Sequence, residues 1–119
     1  TRTTIMALTM TTGKSHARRI ATWAAETTAG SATIERYAPH VSLVCAAVQV
    51  SGTFGGATVV LQGSNDGITY ATLKDPSGAN LSFMAAGYAE FSSGAVFIKP
   101  SISGGTGDSL NIIVSHWAG

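Results

Sequence analysis

The sequence predicts an all-β fold: a single-domain β-sandwich, jelly-roll-like, of roughly eight to ten short antiparallel strands and little helix. Three observations predict it. Clusters of Gly, Asn, Asp, Ser and Pro punctuate the chain from residue 41 onward, at the spacing of about 8–12 residues that marks sandwiches and barrels. The segments between them either alternate apolar and polar residues or are rich in Val. Lastly, 18 Ala, 15 Thr, 14 Gly and 13 Ser fill about half of the 119 residues and leave only 11% charged. With 45% hydrophobic residues this is the reverse of a disordered composition, and a chain of this length can bury one core without disulfides.

Residues 1–15 are expected to form an extended N-terminal arm, and residues 16–119 the sandwich domain. The first segment, 3–10, is a weak strand candidate, set off by Thr11-Thr12-Gly13-Lys14. Residues 15–28 admit two readings. Ser15 could cap a helix with Ile20, Trp23, Ala24 and Thr27 on one face. Arg18 and Arg19 near its start and Glu26 near its end would oppose the helix dipole, so strand is the preferred reading. Residues 32–37 are another weak strand candidate.

The run at 41–51 is apolar almost throughout, which suits a strand covered on both faces. Within it, Cys45 is expected to be a buried, chemically idle hydrophobe. Gly52-Thr53-Phe54-Gly55-Gly56 breaks the run, and 57–62 follows, so the pair reads as a hairpin. Ser64-Asn65-Asp66-Gly67 and Asp75-Pro76-Ser77-Gly78 are turns, built on residues that tolerate positive φ or preset it. They flank a strand at 68–73. Further strands are predicted at 80–84, 88–91, 95–101 and 109–116, with Ser103-Gly104-Gly105-Thr106-Gly107-Asp108 as the turn between the last two.

The charges argue against several functions. A net charge of +1 gives no basic surface for nucleic acid, so direct nucleic-acid binding is not expected. No apolar run approaches the roughly 20 residues of a membrane span, and residues 1–8 lack the apolar stretch of a signal peptide. A Thr at position 1 would fit removal of an initiator Met. One cysteine excludes an internal disulfide and fits folding in a reducing cytoplasm. The charge is split, +3 over residues 1–40 and −2 over 41–119, an asymmetry that suits contacts between subunits.

No catalytic constellation emerges. His16, His40 and His116 are far apart, with neither HExxH nor metal-ligand spacing to Cys45. There is no GxSxG elbow. Asp66, Asp75 and Asp108 sit in turns, where backbone hydrogen bonding accounts for them. Asp66 with Asn65 lacks the alternating acidic loop and distal Glu of a calcium site. Gly52–Gly56 lacks the Lys-Ser/Thr and following helix of a phosphate cradle. No catalytic residue, cofactor or metal is expected, and the chain is read as a non-enzyme. Most of the nine aromatics are expected in the core, with Phe54 and Trp117 the candidates for exposure.

One stretch carries a resemblance. Residues 48–67, VQVSGTFGGATVVLQGSNDG, together with Leu73-Lys74-Asp75-Pro76-Ser77-Gly78, Phe97-Ile98-Lys99-Pro100 and Ser103-Gly104-Gly105-Thr106-Gly107, resemble the small capsid cement or decoration (head-stabilising) proteins of tailed double-stranded DNA bacteriophages. The resemblance covers roughly residues 41–115 and extends loosely back to Ala21-Thr22-Trp23. It implies a jelly-roll-like sandwich on the outer surface of a virion capsid, partnered by the major capsid protein of an HK97-like shell. Cementing neighbouring capsomers against internal DNA pressure works by contact area rather than chemistry. A homo-oligomer fits that setting, with a dimer favoured and a trimer possible. The candidate partner-contact residues are Arg2, Ile5, Leu8, Arg18, Arg19, Phe54 and Trp117. The alternative is a carbohydrate-binding or adhesion sandwich on a phage virion, with Trp117 and Phe54 as stacking platforms.

Overall fold

A computed structural model describes residues 8–12, 18–39 and 43–117. Among them are nine strands: β1 (Thr9–Thr12), β2 (Arg18–Glu26), β3 (Leu43–Thr53), β4 (Thr58–Ser64), β5 (Ala71–Thr72), β6 (Ser82–Phe83), β7 (Gly87–Ser93), β8 (Phe97–Ser103) and β9 (Ser109–Trp117). The only helical element among the described residues is a 3-10 turn at Ser31–Thr33. The all-β prediction holds.

The strands form two antiparallel sheets. One has the order β1-β2-β9-β3-β7; in the other, β4 is paired to β5, β6 and β8. A bridge from Tyr37 to Ile98 adds the segment after the 3-10 turn to the outer side of β8. With the Tyr37 segment counted as a member of the second sheet, the chain changes sheet at every connection after β2 except from β4 to β6. That is jelly-roll order.

The core lies between the sheets because alternate residues of each strand point inward. From the five-stranded sheet come Trp23, Val48, Val50, Phe91, Leu110, Ile112 and Val114; Val59, Leu61, Ile98 and Ile102 come from the other. β9 shows the period-two pattern over its full length, with Leu110, Ile112, Val114 and His116 buried between less buried neighbours.

The residue 15–28 segment is strand, as preferred, at Arg18–Glu26. Its inward face carries Ala21 and Trp23, and a bulge after Trp23 with Ala25 at φ 55° then turns Glu26 inward. A second bulge corrects the expectation for Cys45. Register slips between Leu43 and Ala46, both of which face the core, and Cys45 takes φ 52° and is exposed. The extra residue of a bulge has no slot in the alternation, and here that residue is the cysteine.

The predicted β3–β4 hairpin is also corrected. β3 pairs with β7 and β9, whereas β4 pairs within the other sheet, so Gly52–Gly56 crosses the top of the sandwich. Gly55, at φ 55°, accepts a hydrogen bond from Thr106 N at 3.0 Å, and a Cβ there would strike the Thr106 carbonyl. The two Gly-rich loops are packed on each other. Residues 32–37 form the end of the 3-10 turn and the Tyr37 bridge rather than a strand. Of the segment expected as an arm, Thr9–Thr12 is the edge strand of the chain's own sheet; residues 1–7 and 13–17 lie outside the described residues.

Candidate functional site

The outward face of the five-stranded sheet holds an open depression of about 540 Å³. Its floor is Cys45, Ala46 and Ala47 of β3, its walls Arg18 on one side and Tyr88 and Glu90 of β7 on the other. The small floor residues explain the depth, since Ala47 pairs with Ser115 on one side and Glu90 on the other.

Arg18 is positioned by three contacts. Its Nη2 donates to Ser115 Oγ at 2.8 Å, its Nη1 reaches the Cys45 carbonyl at 3.5 Å, and its Cζ lies 5.0 Å from the centre of the Trp117 ring. Arg18 pairs with Trp117 across β2 and β9, which brings cation and indole together. On the far wall, Tyr88 is 62% exposed and its hydroxyl donates to Glu90 Oε2 at 3.3 Å. A cation, a carboxylate, a phenol ring and a thiol thus converge from three strands.

The other titratable groups are tied into structure. Tyr37 OH lies 2.7 Å from His116 Nε2, and His116 Nδ1 lies 2.8 Å from the Trp117 carbonyl. A carbonyl can only accept, so Nδ1 carries a proton toward it; in the neutral ring Nε2 then accepts and the Tyr37 hydroxyl donates. Burial raises the Tyr37 pKa, with the nearby Arg19 charge opposing. Backbone amides of Thr69 and Ile68, then the Ser64 hydroxyl, lower Asp66 to about 2. The Ser77 hydroxyl and then the Ala79 amide lower Asp75. Both are local turn carboxylates, as their sequence setting indicates. Asp108 differs: it is buried and accepts from Thr28 N and Thr28 Oγ1, both at 2.8 Å, so it locks a distant loop rather than its own turn. Glu26 is buried with Oε2 unpartnered, and desolvation raises its pKa to about 7. Among the described residues no three His, Cys, Asp or Glu side chains group as metal ligands.

Of the candidate contact residues, Arg18 and Trp117 meet at the cleft, Trp117 being 41% exposed. Arg19 pairs with His116 in register, at the Tyr37 end of the sandwich rather than at the cleft. Leu8 packs partly against the core and its amide donates to Glu35 Oε1 at 3.2 Å. Phe54 is half-buried and packs partly against the core, less exposed than expected. Arg2 and Ile5 lie outside the described residues. Cys45, Tyr88 and Glu90 were not among the candidates; the i, i+2 pairing of Tyr88 and Glu90 on one strand was the available signal.

No protein-family model matches the sequence, and no curated protein matches it. Among solved structures, the fold is similar to that of the SPBc2 prophage-derived protein YomS, with a TM-score of 0.56 at 15% identity, over 82% of this chain and 94% of that one. The likeness is one of fold. Protein NMB1881 from Neisseria meningitidis aligns over 97% of this chain and 88% of its own, at 7% identity and a TM-score of 0.40.

Proposed function

We propose that the chain is a non-enzymatic structural protein of a phage virion that binds the outer surface of the capsid and cements neighbouring capsomers. The observation that carries this reading is the β1 edge. β1 closes the five-stranded sheet and, among the described residues, pairs only with β2, and its sequence Thr9–Thr12 carries no charge to blunt further pairing. An uncharged edge of β-forming residues suits strand addition to a partner, in which main-chain hydrogen bonds supply affinity without demanding particular side chains.

Two further features support it. On the five-stranded sheet's outward face, Arg18 and Glu90 are the charged residues among those described, the remainder being Ala, Ser, Thr, Asn, Gln and apolar side chains. The protein whose fold is similar comes from a prophage. The major capsid protein is the proposed partner, with self-association on the shell spreading weak contacts over several edges.

Co-sedimentation with undecorated shells tests the reading. The protein pellets with them, and Thr9→Lys, which places an ammonium on the exposed edge, abolishes pelleting while the fold is retained. Failure of the unmodified protein to pellet overturns the capsid role.

A further inference from the structure

We infer that the cleft over β3 is a binding site for a neutral saccharide. Its floor cannot take a peptide by strand addition. β3 is already paired on both sides, to β9 and β7, and β9 is paired to β2 and β3. Recognition in the cleft therefore falls to side chains.

Those side chains have both signs. Arg18 spends its described hydrogen bonds on Ser115 and the Cys45 carbonyl, not on Glu90, and the two charges stand on opposite walls. A ligand phosphate or carboxylate would be drawn to Arg18 and repelled by Glu90, and an ammonium would meet the converse. A hydroxyl satisfies both, accepting from the guanidinium and donating to the carboxylate. A pyranose presents several hydroxyls at its rim and an apolar C–H face. Tyr88 supplies the matching platform: a ring 62% exposed, with its hydroxyl held by Glu90 at 3.3 Å.

The size agrees. About 540 Å³ lies within the range of roughly 300–1,000 Å³ typical of small-ligand sites. The Cys45 bulge and the short side chain of Ala47 keep the floor low enough for a sugar ring to descend between the walls. The cleft lies on the face of the sheet, whereas the proposed capsid contact is the β1 edge, so the two are tested separately.

Saturation-transfer NMR with a panel of neutral oligosaccharides, each at millimolar concentration, tests the inference, with sialylated and phosphorylated sugars and a charged tetrapeptide as controls. At least one neutral oligosaccharide binds. Tyr88→Ala weakens it by about tenfold or more, whereas Tyr88→Phe, which keeps the ring, retains most of the affinity. Glu90→Ala, at an exposed position, weakens it severalfold with an unchanged circular dichroism spectrum. A panel without a binder, preferential binding of an anionic sugar or the peptide, or neutral-sugar binding unaltered by both Tyr88→Ala and Glu90→Ala overturns it.

Discussion

Glu26→Gln probes the energetic cost of the β2 bulge. The bulge buries the Glu26 carboxyl to 3% exposure with Oε2 unpartnered, and its pKa rises from 4.5 to about 7. A raised carboxylate pKa means that the folded state binds the proton more tightly than the unfolded chain. Below about pH 4.5 both states are protonated and the group is neutral to stability. Between the two pKa values the unfolded chain sheds its proton first, so stability falls as pH rises; above about 7 the loss is complete. The shift of about 2.5 units corresponds to roughly 3 kcal/mol. Glutamine has nearly the shape of the protonated acid and never charges. Urea unfolding at pH 5 and pH 8 reads the difference. The expected result is native stability falling by about 2–3 kcal/mol between the two, a Glu26→Gln variant with a much flatter profile, and a variant that is the more stable protein at pH 8. Native stability that is level or rising over this interval, or a variant less stable than the native chain at pH 8, refutes the reasoning.

Cys45, exposed on the bulge, is labelled by a thiol reagent within the dead time of unfolding-independent reaction; labelling that requires global unfolding contradicts the bulge. Because Cys45 holds φ 52°, Cys45→Gly raises stability by about 1 kcal/mol, read by urea denaturation. Gly55→Ala, at φ 55° with its new Cβ against the Thr106 carbonyl, lowers stability by about 2 kcal/mol or more in the same assay. Asp108→Ala leaves the Thr28 amide without its acceptor and costs roughly 3 kcal/mol, with faster amide exchange at Thr28.

Strands after residue 41 were legible because their turns carry local chemistry. Asp66 and Asp75 accept from amides two to four residues on, and a sequence displays such contacts directly. Pairing was not legible. A Gly-rich break between two apolar runs reads as a hairpin, yet β3 takes its partners from β7 and β9, some 40 and 60 residues away, because jelly-roll order sends nearly every connection across the sandwich. Bulges were hidden for a related reason. Nothing in Leu43-Val44-Cys45-Ala46 marks where alternation slips, since all four residues suit burial; the slip shows only in the pairing, where Leu43 meets Ser93 and Ala46 meets Phe91. The cleft inherits both difficulties. Arg18 and Trp117 were visible as candidates near the two ends of the chain, but their meeting required β2 beside β9, and the opposite wall required β7 beside β3.

The central claim, that this jelly roll is fixed to the outside of a capsid by its β1 edge, is tested most directly by an electron-microscopy map of the source particle at side-chain resolution. The account predicts the sandwich on the outer shell surface, repeated at positions bridging adjacent capsomers, with a capsid or neighbouring-subunit strand hydrogen-bonded to Thr9–Thr12. A particle whose capsid exterior lacks the protein, or a sandwich seated through its β7 side with β1 facing solvent, would contradict it.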